Sequence, residues 1–402
     1  MRMNKKKEIV PKFRFPEFQR DGIDFVHGNK LFKSITNKNH NSDLPILAIT
    51  QDQGAVPRDQ IEYNVTVTDK SLSNYKVVEV GDFIISLRSF QGGIEYSRFK
   101  GICSPAYIIL RKREENISEL YYKYFFKTWR YIQSLNRNLE GIRDGKMISY
   151  SQFSSVKVPY PRSFKEQQKI ADCLSSIDEL IDAENRKLKA LEKYKKGLMQ
   201  KLFPAEGKTL PEWRFPEFRG KSEWRIKPLG KICTNYDSRR IPITEKDRVK
   251  GEIPYIGASG VIDYINDFIF DEDLLCVSED GANLVARTYP IAFSISGKTW
   301  VNNHAHVLKF SHKYTQDIVE SYLNMINLQD FLTGMAQPKL NRAKLDIIPI
   351  PLPEEEEQQK IANCLYEVDK IITEQSNKVE QLKAHKKGLM QGLFPSLEEA
   401  DV

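Results

Sequence analysis

The chain has 402 residues, 40% hydrophobic and 29% charged, with a net charge of +7, which is ordinary soluble composition with room for two or three domains. No run approaches the roughly 18 apolar residues of a membrane span, and the basic start, MRMNKKKEIV, lacks the apolar stretch of a signal peptide. A cytoplasmic protein with no membrane partner is expected, and the mild basicity permits a polyanionic one. The five cysteines, Cys103, Cys173, Cys233, Cys276 and Cys364, never form Cys-x-x-Cys, so neither a zinc site nor a disulfide framework is indicated.

Residues 1–18 form an N-terminal segment that ends in FRFPEF. From 19 to 160, short β-branched and aromatic runs broken by Gly, Asn, Asp and Pro predict a strand-rich α+β domain. Within it VEVGDFIISL leads through Gly92-Gly93 and Gly101 to the run 106–110. An amphipathic helical stretch at 118–135 and a glycine-led loop from Glu140 follow, and the exit is Val158-Pro159-Tyr160-Pro161. Residues 161–204 predict one long helix. Apolar residues recur in steps of four and three at Ile170, Leu174, Ile177, Ile181, Leu188, Leu191, Leu198 and Leu202, the a/d seam of a coiled coil, until Pro204 stops it.

The pattern then starts again. WRFPEF at 213–218 repeats FRFPEF at an offset of 200, and residues 205–350 predict a second strand-rich domain behind a leading linker. Its helical stretch lies at 316–332, its glycine-led loop reads TGMAQPKLNRAKL from Thr333, and its exit is Ile348-Pro349-Ile350-Pro351. Residues 351–402 hold a second long helix with the seam Ile361, Leu365, Val368, Ile372, Val379, Leu382, Leu389 and Leu393. Residues 166–204 and 357–395 are identical at 21 of 39 positions. The seam is broken by Glu184 and Lys195 in one helix and by Gln375 and Lys386 in the other, and such polar layers can fix register and partner. Cys173 and Cys364 sit at the same position of the two helices and read as small reduced packing residues. A duplicated chain whose domains differ in their loops suits a target with two unlike halves.

The order domain, helix, domain, helix, the repeated EQQKIA followed by Lys-Lys-Gly-Leu-Met-Gln, the Gly-Met-Ala-Gln-Pro-Lys-Leu loop and the Ile-Pro-Ile-Pro exit together resemble the specificity (S) subunit of type I restriction-modification systems. The resemblance spans essentially the whole chain. It implies two target recognition domains, each reading one half of a split double-stranded DNA sequence, and an antiparallel coiled coil of the two helices with an internal pseudo-two-fold repeat. It also implies docking of two methyltransferase (M) subunits and assembly of restriction (R) subunits, with no catalytic centre in this chain. S-adenosylmethionine, ATP and Mg would belong to those partners, and this chain would bind no cofactor. The first domain reads Gly-Ile-Arg-Asp-Gly-Lys where the second has Gly-Met-Ala-Gln-Pro-Lys, so the loops of the two halves do not correspond residue for residue.

Base discrimination calls for forked donors and amides at loop tips, Arg for guanine and Asn or Gln for adenine, with Lys and Arg on phosphates. The candidates in the first domain are Arg88, Gln91, Arg98, Lys100, Arg143 and Lys146. In the second they are Lys298, Asn302, Asn303, His304, Lys339, Asn341 and Arg342, with Arg239 and Arg240 as outliers. No Pro-Pro pair exists to build the flipped-base pocket of an adenine methylase. Residues 292–299, AFSISGKT, fit a loose phosphate-loop pattern but alternate as a strand, with a poor helix start after them. His304 and His306, two apart in a predicted strand, should share a face; no carboxylate or cysteine stands at ligand spacing, so a metal is not expected. A coiled-coil scaffold whose domains bind protein is the alternative reading, and a self-contained nuclease or methylase is the third.

Overall fold

The computed structural model describes residues 10–41, 43–61, 72–137, 148–334 and 337–395. The chain divides into two compact units, Met1–Glu184 with Lys378–Val402, and Asn185–Asn377. The long helices run Phe164–Leu202 and Glu355–Leu393, 39 residues each, so each unit holds one half of each helix. Both helices end one residue before a Phe-Pro pair, where proline cannot continue the backbone bonding.

In the first unit a four-stranded antiparallel sheet has the order Phe32–Ile35, Ile108–Lys112, Phe83–Ile85, Glu95–Tyr96. Phe83 and Ile85 face one apolar cluster and Ile84 another, because a strand covered on both faces can be apolar throughout. The main core is aromatic: Phe32 meets Phe83, Tyr122 and Phe126 edge to face with centroids 5.1–5.6 Å apart. Fully burying each such ring contributes about 1.5–3 kcal/mol. The helical stretch expected at 118–135 is two helices, Glu119–Phe125 and Trp129–Arg137. The break falls at Lys127-Thr128, where the Thr128 hydroxyl donates back to the Phe125 carbonyl and the Lys127 amine turns inward. The exit strip forms the strand Lys157–Pro161, antiparallel to Ile23–His27. This brings the start and end of the domain together at the root of the long helix.

The second unit carries two four-stranded sheets. One has the order Thr234–Asn235, Ala305–Lys309, Leu274–Ser278, Ala292–Ile295, and the other Gly260–Ile265, Lys250–Gly257, Lys298–Val301, Phe270–Asp271. Leu274–Ser278 is buried along its whole length, Leu275 and Val277 in one core, Leu274 and Cys276 in the next. The helix expected at 316–332 is Lys313–Met325, followed by a separate 3-10 turn at Gln329–Phe331. The exit strip Pro349–Leu352 pairs antiparallel with Arg225–Pro228, as its counterpart does in the first unit.

Within each unit the two helix halves run antiparallel. In the first, Asp178 pairs with Lys386 and Glu184 with Lys378, so rising along one helix means descending the other. In the second, Lys195 pairs with Asp369, which is the Asp178–Lys386 contact made again by the other copy of the repeat. The polar layers at Glu184, Lys195 and Lys386 are therefore cross-helix ion pairs, whereas Gln375 is buried. Of the seam positions, Ile170, Leu174, Ile181, Leu202, Ile361, Leu365, Val379 and Leu393 are buried. Ile177, Leu188, Leu191, Leu198, Val368, Ile372, Leu382 and Leu389 are half-buried.

The repeated hexapeptide and the repeated EQQKIA are bound to each other. Arg14 donates two parallel hydrogen bonds to the Glu166 carboxylate, and Arg214 does the same to Glu357. Gln167, fully buried, accepts from the Ser118 amide and donates to the Pro161 carbonyl, while Gln358 accepts from Thr315 and donates to the Pro353 carbonyl. The hexapeptide also grips the end of the other helix: the Phe13 amide donates to the Gly392 carbonyl, and the Trp213 amide to the Lys201 carbonyl. The phenyl ring of Phe13 leaves no space for a Cβ at Gly392. Phe394 then packs on Tyr121 and Phe125, and Phe203 on Trp224 and Tyr322. Each domain thus holds the beginning of one helix and the end of the other by the same set of contacts.

Candidate nucleic-acid interface

In the first unit Arg88 and Gln91 are exposed at the two ends of the short helical turn Ser89–Gly92. That turn is pinned from below. Gly93 has φ 83°, and a Cβ there would fall 2.2 Å from the Phe126 carbonyl oxygen, so glycine is required. Asn136 donates to the Phe90 carbonyl at 2.8 Å, and the Lys127 amine donates to the carbonyls of Gly92 (2.9 Å) and Gln51 (3.0 Å) while pairing with Glu95. Gln51 lies at the tip of the hairpin Leu47–Thr50, Gly54–Pro57, and its side-chain amide lies 3.5 Å from the Gln91 side chain. Two glutamines and an arginine are thereby gathered at one tip. Sequence reading missed Gln51, because nothing along the chain links residue 51 to residue 91. Beneath this tip burial pushes the Glu95 carboxyl up to about 7 against the pull of Lys127, and burial lowers the Lys127 amine.

The remaining first-domain candidates are placed differently. Arg98 is exposed beside a cleft of about 330 Å³ lined by Tyr124, Ser175 and Asp178 along the long helix. Lys100 pairs with Glu79 at 3.1 Å. Arg143 and Lys146, with the loop that carries them, lie outside the described residues.

In the second unit four segments far apart in sequence converge. The Glu279 amide donates to the His304 carbonyl, the Leu340 amide to the Glu279 carbonyl, and the Gly281 amide to the Pro338 carbonyl. The Ser278 hydroxyl donates to the Ala258 carbonyl, at the tip of the hairpin Lys250–Gly257, Gly260–Ile265. On this surface Asn303 and His304 are exposed, and His304 Nδ1 lies 2.8 Å from Asp280. Lys339 and Arg342 are exposed too, paired with Glu279 at 3.3 Å and Asp346 at 3.6 Å.

Two expectations are corrected here, and a third residue, Asn341, has one polar atom committed to local structure. Asn302 is buried, and its side-chain oxygen accepts from the His304 amide, so it shapes the turn and presents nothing at the surface. Asn341 spends its side-chain oxygen on the Lys344 amide as the N-cap of the helix Arg342–Asp346. His304 and His306 do not share a face: residues 302–304 form a turn, so His304 points outward while His306 is buried in the strand Ala305–Lys309. Lys298 lies over the Phe268 ring at the start of its strand, 4.7 Å from the centroid. Of the two outliers, Arg239 stacks on Tyr236 and Phe270 and pairs with Glu272. Arg240 is nearly buried, donating to Glu279 and to the carbonyls of Ala305 and Asn303.

The carboxylates that sequence spacing did not show beside His306 are Asp237 and Glu279, whose oxygens approach its ring nitrogens within 4.8 Å. The cation that meets both is the Arg240 guanidinium. The phosphate-loop match at 292–299 spans two strands of different sheets, Ala292–Ile295 and Lys298–Val301, joined by a bend with Gly297 at φ 67°, so no helix N-terminus stands there. Among the described residues no helix is long and apolar enough to cross a membrane.

The family model described as "Type I restriction modification DNA specificity domain" matches this chain twice, at residues 21–193 and 221–383. The chain belongs to that family. A type I restriction enzyme specificity subunit of Methanocaldococcus jannaschii is 25% identical over 355 residues, 81% of this chain and 80% of that one. A putative specificity subunit of Haemophilus influenzae is 35% identical over 144 residues, a match spanning 36% of this chain and 37% of the relative. The crystal structure of a type I restriction-modification S subunit from M. genitalium superposes with a TM-score of 0.59, covering 96% of this chain and 99% of that one at 15% identity, a likeness of fold. The specificity-domain matches each take in one globular domain and most of the long helix that follows it, including Glu166 and Glu357, while their partners Arg14 and Arg214 stand just ahead of each match.

Proposed function

We propose that this chain is the non-catalytic DNA-reading subunit of a type I restriction-modification complex, each globular domain recognising one half of a bipartite duplex target. The observation that carries the reading is the contrast between root and tip. The helix–domain joint is made twice with the same residues, Arg14–Glu166 and Arg214–Glu357, whereas the tips differ entirely, Gln51, Arg88 and Gln91 against Asn303, His304 and Lys339. Constant roots with unlike tips suit two heads of separate specificity. Forked amide and guanidinium donors at a tip distinguish adenine and guanine edges in the major groove, and the surrounding lysines meet phosphates. The paired helices would dock two methyltransferase subunits, on which restriction subunits assemble. Those partners would hold S-adenosylmethionine, ATP and Mg and perform the chemistry.

Exchanging residues 19–161 for the equivalent domain of another member of the family tests this. Both strands of the terminal sheet travel together in that exchange. One half of the methylated motif should change and the other stay. A change in both halves or in neither rejects separate heads, and an assembled complex with no salt-sensitive affinity for duplex DNA would favour the protein-binding scaffold.

A further inference from the structure

Lys127 stands in the break between the helices Glu119–Phe125 and Trp129–Arg137, and its ammonium has three hydrogens to give. Three segments take them. One goes to the Gln51 carbonyl at the hairpin tip (3.0 Å), one to the Gly92 carbonyl at the end of the helical turn (2.9 Å), and one to the buried Glu95 carboxylate on the strand that follows. The hairpin is fixed at its base as well. A Cβ at Gly54, φ 78°, would fall 2.5 Å from the Tyr96 carbonyl oxygen, and Ala55 bridges Ser97. Hairpin tip and helical turn are thereby held as one surface, although Gln51 and Gln91 are 40 positions apart.

On that surface the two glutamine side chains meet. Gln51 Nε2 lies 3.5 Å from both the Arg88 carbonyl oxygen and Gln91 Oε1, and the carbonyl, which only accepts, fixes which end of the Gln51 amide faces the turn. Among the described residues Gln51 Oε1 and Gln91 Nε2 meet no hydrogen-bond partner, and both side chains are exposed. The pair therefore offers one acceptor and one donor, one from each glutamine. An adenine edge in the major groove carries the complement, the N7 acceptor and the N6 donor. Two amides in contact span no more than about the 3.4 Å rise between successive bases, so they address one base and not two separated ones. Gly92 makes the approach possible, because a Cβ there would fall 2.8 Å from Gln51 Cδ.

We propose that Gln51 and Gln91 form a composite amide that reads one adenine of the first half-site, and that Lys127 is the positioning residue that holds the two together. This deepens the DNA-reading role proposed above and rests on it. A single glutamine can meet both adenine atoms by itself; dividing them between two segments makes recognition depend on the alignment that the ammonium maintains. The second head, whose tip is built from other segments, is the internal control.

The experiment uses the full chain assembled with its methylating subunits, offered duplexes in which every base pair of each half-site is changed in turn, with affinity as the readout. Gln51→Ala and Gln91→Ala should each lose about tenfold in discrimination at one and the same adenine, and the double variant should lose no more than either single one. Gly92→Ala, which displaces the Gln51 side chain and leaves the three ammonium bonds in place, should match Gln51→Ala. Lys127→Met combined with Glu95→Gln leaves no buried charge unpaired. It should relax the same position while the rest of the first half-site and all of the second keep their preference, whereas a merely structural loss would weaken every position of the first half-site together. The glutamine and Gly92 variants decide alone if that double variant fails to fold. No loss from Gln51→Ala, relaxation at two different positions, losses that multiply in the double glutamine variant, a relaxed position that is not adenine, or a Lys127 variant that weakens the whole first half-site overturns the proposal while leaving the DNA-reading role standing. Wild type that discriminates at neither half-site would overturn that role itself.

Discussion

Arg14 and Glu166, 152 residues apart, are joined by two parallel hydrogen bonds of 2.7 and 2.9 Å, with the carboxylate wholly buried and the guanidinium 6% exposed. Arg214 and Glu357 make the same bidentate pair at 2.7 and 2.6 Å. Around each pair the other contacts repeat as well, Lys169 with Glu17 and Lys360 with Glu217. The planar fork fixes direction as well as distance, so the hexapeptide sets the angle at which the long helix leaves its domain.

Removing one partner of this pair leaves a buried charge without its counterion. Arg14→Met and Arg214→Met should each cost about 3–5 kcal/mol in denaturant unfolding. Replacing both members, Arg14→Met with Glu166→Leu, should restore most of that, since paired apolar groups of similar volume avoid the desolvation penalty. A double variant as unstable as the single would show that the joint depends on shape and not on the stranded carboxylate.

Between the helices, burial raises the Asp178 carboxyl, but hydrogen bonds from Lys386 and Tyr124 prevail and hold it below the ordinary range. Stability from this group is therefore present above the unfolded value near pH 4 and lost as pH falls through the lower folded one. The pair is partly exposed, so Asp178→Asn should remove on the order of 1 kcal/mol at pH 7 and much less at pH 2. Thermal unfolding at the two pH values checks it; equal losses at both would assign the effect to packing.

Glu95 runs the other way. Its carboxyl is pushed up to about 7 by burial, so the folded state favours the protonated form. Its contribution is full below the unfolded value near 4.5 and declines as pH rises through about 7. Glu95→Gln should flatten the stability profile between about pH 4.5 and 7 and stabilise the chain at pH 8 by a few kcal/mol. A Gln variant less stable than wild type at pH 8 would mean that the ion pair with Lys127 outweighs burial.

Asn302 and Asn303 are adjacent and should behave in opposite ways. Asn302→Ala strands the His304 amide and should cost about 1–3 kcal/mol of stability. Asn303→Ala, on the exposed turn, should leave unfolding within about 0.5 kcal/mol while relaxing the base preference of the second half-site. Measuring unfolding and half-site selection on both variants separates the roles, and a large stability loss from Asn303→Ala would remove it from the reading surface.

Some of this is readable along the chain because it is periodic or repeated. The apolar steps of four and three mark Ile170 to Leu198 and Ile361 to Leu389 as one face of each helix, since side-chain direction in a helix depends only on spacing. The duplication of FRFPEF and EQQKIA is visible by comparison alone. Proline at 204 and 395 ends both helices for a local, covalent reason. Fold class and family follow from these features.

What the tertiary structure decided are the relations between residues that no period connects. That Arg14 binds Glu166, that Gln51 stands beside Gln91, and that Leu340 caps His306 depend on where two chain segments are brought by the packing of everything between them. Burial decided the rest. Asn302 and Asn303 have the same chemistry and neighbouring positions, yet one turn buries the first and exposes the second. Polar side chains in loops carry no periodic signal of the face they will take, because their direction is set by hydrogen bonds to distant backbone and not by their neighbours in sequence.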